Sequence, residues 1–214
     1  MIIFRSVFFR FFIVGLIALG FMYCGYTISN PQTAVENKLP IFGPEGEDGK
    51  GHFISDFSFT DQSGRTFSQN ELKGKVYITD FFFAKCEGIC PIMGSQMQRV
   101  YEKFSSDDRI RFLSHTVKPE EDSVSVLAEY AALHGADPDK WYFVTGDKKQ
   151  IYNMARASYL VTVSEGDGGP EDFVHTQFFA LVDPQRRIRG YYDGTDSTEV
   201  DKLIVELDML LTEQ

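Results

Sequence analysis

The chain is poor in positive charge: 21 Lys and Arg stand against 31 Asp and Glu, for a formal net charge of -10 over 214 residues. Such a body repels a phosphate backbone, which excludes a general nucleic-acid binder and suits a metal ion or a cationic protein better. No internal repeat or low-complexity tract occurs, which argues against a solenoid or array. The first thirty residues hold no acidic side chain, and residues 11–23 hold no charge at all. What the chain does have is a 43% hydrophobic and 14% aromatic composition, enough for one packed core.

Residues 7–26 are apolar apart from Arg10, which predicts a membrane segment. Arginines before the span and acidic sequence after it place the N-terminus in the cytoplasm and the body outside, facing the periplasm or cell exterior. Ala18-Leu19-Gly20 offers a signal-peptidase site, but the apolar run continues past it to Tyr26, favouring an uncleaved anchor over residues 1–29. Cys24 follows bulky Tyr23, which is wrong for a lipidation box, so it is left out of the chemistry. Residues 30–51 carry the prolines and glycines of a linker, and 52–214 form the folded domain.

In that domain strand-like and helix-like segments alternate, the mark of an α/β fold. A strand at 56–60 and a turn at 61–65 precede the capping box Ser68-Gln69-Asn70-Glu71. A strand at 76–83, apolar on both faces apart from Thr79 and Asp80, reads as the doubly covered centre of the sheet. Helices are predicted at 91–104, 123–134 and 148–159, with strands at 110–117 and 141–144 between them. A hairpin, 177–182 with 188–192, and a last helix with Val200, Leu203, Ile204, Leu207, Leu210 and Leu211 on one face close the chain. Two β-α units, a hairpin and a closing helix make a thioredoxin-like plan: a central mixed sheet flanked by helices.

Cys86-Glu87-Gly88-Ile89-Cys90-Pro91 lies between the central strand and the first long helix. A helix N-terminus offers unpaired N–H groups and a positive dipole end, which favour thiolate, the form needed for metal binding or disulfide exchange. The spacing puts both sulfurs within reach of one ion, and equally within reach of each other.

The stretch Lys75-Val76-Tyr77-Ile78-Thr79-Asp80-Phe81-Phe82-Phe83-Ala84-Lys85-Cys86, running into Cys90-Pro91, resembles the Sco/SenC family. The resemblance extends to Asp56-Phe57-Ser58, the Asp61-Gln62-Ser63-Gly64 turn, Leu181-Val182-Asp183-Pro184 and Tyr192-Asp193-Gly194. It implies a thioredoxin-like domain that binds copper through the two cysteines and a distant histidine. It also implies a partner, the cytochrome c oxidase subunit that carries the dinuclear CuA centre, while the copper donor is left open.

Of four histidines, the resemblance selects His175, in Phe173-Val174-His175-Thr176-Gln177, as the third ligand. Family members usually have an aspartate before this histidine, whereas Val174 stands here, and Asp172 reads as a solvated loop acid. His115, near the end of a parallel strand, is a further candidate for the same sheet edge. His52 and His134 read as exposed, and Met93 and Met97 as core. Two thiolates and an imidazole suit Cu(I), with Cu(II) taken through an added ligand, although zinc fits the same set. The acidic loop 165–172 stands ready to move His175 or greet a basic partner, or is simply solvated.

Asp80, buried six residues before Cys86, is a candidate proton relay for thiol exchange, its pKa raised by burial. The competing reading is therefore a thiol-disulfide oxidoreductase acting on an apo-oxidase subunit or another extracytoplasmic protein. The Cys-x-x-x-Cys spacing departs from the Cys-x-x-Cys of general oxidoreductases, and the peroxiredoxin pattern is absent.

Overall fold

The computed structural model describes residues 38–45, 51–162, 165, 166, 168, 169 and 171–213. The anchor expected at 1–29 lies outside them, and no helix among the described residues is long and apolar enough to cross a membrane.

The elements run β1 (Ser58–Asp61), β2 (Thr66–Ser68), a 3₁₀ turn (Gln69–Leu72), β3 (Val76–Phe82), α1 (Cys90–Phe104), β4 (Ile110–Thr116), α2 (Val124–Leu133), β5 (Trp141–Thr145), α3 (Lys148–Asn153), a π turn (Met154–Ser158), β6 (Phe178–Val182), β7 (Ile188–Asp193) and α4 (Ser197–Thr212). The seven strands form one sheet in the order β2-β1-β5-β4-β3-β6-β7. β3, β4 and β5 are parallel, while β6, β7, β1 and β2 join antiparallel. The result is a thioredoxin-like mixed sheet flanked by helices.

Local chemistry explains most of these elements. Ser68 and Glu71 make the reciprocal hydrogen bonds of a capping box. Ser123, Asp147 and Asp196 cap α2, α3 and α4 through side-chain oxygens. All seven residues of β3 are buried, as expected of a strand covered on both faces. One core lies under α1, α2 and α4, with Met93, Met97, Leu203 and Leu207 at its centre. The other, on the opposite face, holds Phe67, Leu113, Ile151, Tyr159 and Val174.

Several details differ from the sequence expectation. Thr66–Ser68 is a short edge strand paired to β1. The helix expected at 148–159 is split into α3 and the wider π turn, which ends at Ser158 and is followed by Leu160, a non-glycine residue at φ 55°. Residues 38–42 pack onto the domain: Leu39 is buried, Phe42 bridges to Ile188, and the Leu39 amide donates to Glu213. The buried Arg189 guanidinium holds this segment by donating to the carbonyls of Leu39 and Pro40.

Two histidines expected on the surface are engaged. His52 is half-buried, its Nε2 2.6 Å from the Ser158 carbonyl oxygen. His134 is buried between Tyr130 and Trp141, where helix packing at Gly94 leaves no room for a side chain.

Candidate metal centre

β3 delivers the chain to the cysteines. The Val117 amide donates to the Phe82 carbonyl at 2.7 Å, extending the β3–β4 ladder to the end of the strand. Beyond it, the Ala84 amide donates to Asp122 Oδ2 at 3.1 Å, and the same oxygen accepts the Thr116 hydroxyl. The Thr116 oxygen in turn accepts the Lys118 amide at 3.0 Å. Asp122, 1% exposed, thus ties the cysteine loop to the end of β4. The Lys118 ammonium lies 4.8 Å from the Phe83 ring centroid, covering the same corner.

α1 starts at Cys90 with Pro91 in its first turn and without a side-chain cap. The amides of Gly88, Ile89 and Cys90 turn to the Cys86 sulfur instead. Burial pushes the Cys86 thiol up, but the Cys90 thiol and these three amides outweigh it and leave Cys86 below the ordinary thiol value of 9.0. Cys90 shows the reverse. Burial, then its hydrogen bond to Cys86, pushes it up to about 12. The pair is asymmetric: a half-buried sulfur disposed to be thiolate, with a buried thiol donating to it. Both cysteines are free.

Asp80 is 4% exposed, and its Oδ1 has no hydrogen-bond partner. Burial raises it to about 7 against a hydrogen bond from Ser114, and its charge adds to the rise at Cys90. By the alternation of β3, this carboxyl shares a face with Ile78 and Phe82, which pack in the core under α1. The next residue along each strand faces the other way. His115, paired with Phe81 in the β3–β4 register, is fully buried in a cage of Phe57, Phe59, Phe81 and Tyr159, with centroids 4.9–6.0 Å away. Neither ring nitrogen has a partner, and burial lowers its pKa to about 3. The expectation that His115 approaches the cysteines fails on the pleat: it lies on the opposite face from Asp80 and α1.

His175 is exposed between two anchors, Val174 in the core and Thr176, whose hydroxyl donates to the Val161 carbonyl at 2.9 Å. Its ring stands 6.4 Å from that of Phe173, which meets Phe83 edge-on at 5.9 Å, so the loop touches the chain entering the cysteine motif. On its other side His175 lines a cleft of about 610 Å³ with Leu160, Gln177, Phe178 and Tyr191. The structure brings Cys86 and Cys90 together. Among the described residues, no group of three or more His, Cys, Asp or Glu side chains is gathered closely enough to hold a metal ion, so His175 stands apart from the pair. Asp172 is not the solvated acid expected: it is paired with Arg156, its side chain 6% exposed.

The two sulfurs, one inclined to thiolate and the second at its side, fit a soft ion, and an exposed imidazole stands apart from them on the adjoining loop. Sequence reasoning missed Asp122 and Arg156. Asp122 carried no signal beyond its place before the Ser123 cap, and Arg156 reads as an ordinary helix cation.

A thioredoxin-like fold with a Cys-x-x-x-Cys pair at the start of its first long helix defines a class of thiol-bearing metal or redox proteins. Within that class a family model described as SCO1/SenC matches residues 45–211, and the chain belongs to that family. It is similar to the SCO1 protein homolog of Bacillus subtilis, 30% identical over 167 residues that cover 77% of this chain and 86% of the relative. Among solved structures it is similar to BsSco, described as a member of the Sco family of cytochrome c oxidase assembly proteins with a disulfide switch. That match has 30% identity, covers 76% of this chain and 95% of the other, and has a TM-score of 0.64. Yeast Sco1 with copper bound aligns at 28% identity over 73% of this chain and 89% of its own, with a TM-score of 0.56.

Proposed function

We propose that this protein is a membrane-tethered copper carrier that takes Cu(I) between Cys86, Cys90 and His175 and delivers it to the CuA-bearing subunit of cytochrome c oxidase. In this reading residues 1–29 form the anchor with the N-terminus in the cytoplasm, 30–51 the tether, and 52–214 the copper domain, held in the periplasm or outside the cell. The observation that carries it is the sulfur pair: Cys86 sits at the uncapped N-terminus of α1 with its pKa lowered, and Cys90 lies beside it. Copper bound to yeast Sco1 and the description of BsSco as a member of a family of cytochrome c oxidase assembly proteins support copper as the ion and the oxidase as its destination.

As cargo, Cu(I) would be held by the two sulfurs, with the imidazole as third donor. Binding releases the Cys90 proton, and Asp80, with an unpaired oxygen on that face, is placed to take it. An exposed third donor suits a carrier, because the ion can be handed on without opening a cage.

Delivery tests this reading. The Cu(I)-loaded full chain in detergent is mixed without oxygen with the metal-free oxidase subunit, two coppers per subunit, and the re-isolated subunit, oxidised by one electron with ferricyanide, is expected to show the CuA absorption. A subunit that stays colourless while free Cu(I) loads it would overturn delivery.

A second reading, thiol-disulfide exchange on an oxidised apo-subunit, is favoured by Asp80 and by the asymmetric pair. It predicts that the reduced, metal-free chain reduces that subunit, that Asp80→Asn slows the reaction by about ten- to a hundredfold, and that His175→Ala does not. An Asp80→Asn chain as fast as the parent rules Asp80 out as the relay.

A further inference from the structure

The loop that carries His175 is fastened at its base by an ion pair. Arg156, in the π turn, offers both guanidinium nitrogens to Asp172: Nη1 donates to Oδ2 at 2.8 Å and Nη2 to Oδ1 at 2.6 Å. The side chains are 17% and 6% exposed, so the pair is sheltered and bidentate, the strong form of the interaction. The guanidinium holds the Asp172 carboxylate below its ordinary range. Asp172 Oδ2 also accepts the Gly168 amide at 2.7 Å, and the Asp172 amide donates to the Gly169 carbonyl at 3.1 Å, folding the loop back on itself.

The other end of the clamp is fixed as well. Arg156 lies 5.5 Å from the Tyr152 ring centroid, and the Tyr152 hydroxyl donates to the Val117 carbonyl at 2.8 Å, just beyond the end of β4. The chain from Asp172 to His175 is therefore tied to the residue whose amide extends the β3–β4 ladder toward the cysteines. Two residues, Phe173 and Val174, separate the clamp from the imidazole.

We infer that the Arg156–Asp172 pair positions His175 for copper. Without it, Asp172 loses its bidentate tie to the π turn, and the imidazole three positions on samples a larger volume. A smaller share of conformers then lies within reach of an ion on the cysteines, so the third donor adds less affinity. Asp172 does this as a positioning residue, without touching the metal. Val174, next to the imidazole, is buried in the core, and the carboxylate tied to Arg156 lies two positions before it.

The inference rests on the three-donor reading, and a cycle of variants separates the two. Cu(I) affinity of the full chain in detergent is measured by competition with a Cu(I) chelator, reduced and without oxygen, for the parent, Asp172→Asn, Arg156→Gln, His175→Ala and Asp172→Asn/His175→Ala. His175→Ala with parental affinity would end the three-donor reading itself.

If His175→Ala weakens binding, Asp172→Asn and Arg156→Gln are each expected to weaken it about three- to thirtyfold, less than loss of the donor. Asp172→Asn is expected to have no further effect once His175 is gone. Parental or tighter binding in the clamp variants, or an equal loss in the His175→Ala background, overturns the clamp. Amide exchange at residues 173–177 in the metal-free chain gives a second readout. It should quicken in both clamp variants while the β3 amides stay protected, and unchanged exchange counts against the inference.

Discussion

The two halves of the centre are built differently. The cysteine half sits where a buried strand meets a helix, and its loop is laced down by Asp122, Thr116 and the Val117 amide. The histidine half is an acidic, glycine-containing loop with an exposed imidazole, and among the described residues the Arg156–Asp172 pair and the buried Val174 and Thr176 hold it. One half sets the chemistry of the sulfurs before any ion arrives. The other presents its imidazole to solvent. The carrier proposed above would use both, since an exposed third donor can release the cargo.

The largest expected effect separates these halves directly. Cys86→Ser should weaken Cu(I) binding by roughly two to three powers of ten, a ligand's share of typical metal-site free energies, against one to two for His175→Ala. Equal losses from the two variants would erase the division.

Next comes the lacing. Asp122→Ala strands the Ala84 amide and the Thr116 hydroxyl, which should cost about 2–4 kcal/mol in denaturant unfolding. In variants that remain folded, iodoacetamide should then distinguish Cys86 less sharply from Cys90. A neutral effect on both stability and reactivity would show that the loop is held by other means.

A pH effect should arise behind the cysteine half, from His115. Its folded pKa is depressed from the ordinary 6.5 to about 3, so the native state needs the neutral ring. Its contribution to stability is present above pH 6.5 and is lost as pH falls from there toward 3, at roughly 1 kcal/mol per pH unit at most. His115→Phe should flatten the acid limb of a stability-against-pH curve over that window. An unchanged limb would mean that the imidazole is not held neutral.

The smallest effect belongs to the acidic loop. Glu171→Gln, at an exposed position, should change the unfolding free energy by less than about 0.5 kcal/mol. A larger loss would show that the loop is structural rather than merely fastened at Asp172.

The same division governs what could be read from the sequence. The apolar run 76–83, the Ser68–Glu71 box and the Cys-x-x-x-Cys-Pro junction are local signals, and the fold and the sulfur pair followed from them. His175 is reachable only by resemblance, because no local pattern distinguishes it from the other three histidines. His115 was misjudged for a period-two reason: one step along β4 moves a side chain from the Asp80 face to the opposite one. His134 and Asp172 were read as solvent-facing because their partners, Trp141 and Arg156, are 7 and 16 positions away and meet them only in the fold. Asp122 escaped for the same reason, since its partner Ala84 is 38 residues distant.

X-ray absorption at the copper edge of the full chain, loaded with one Cu(I) under reducing conditions, tests the central claim most directly. The account predicts two sulfur scatterers and one imidazole nitrogen in the parent, and loss of the imidazole signal alone in His175→Ala. A two-sulfur spectrum identical in both proteins would contradict it.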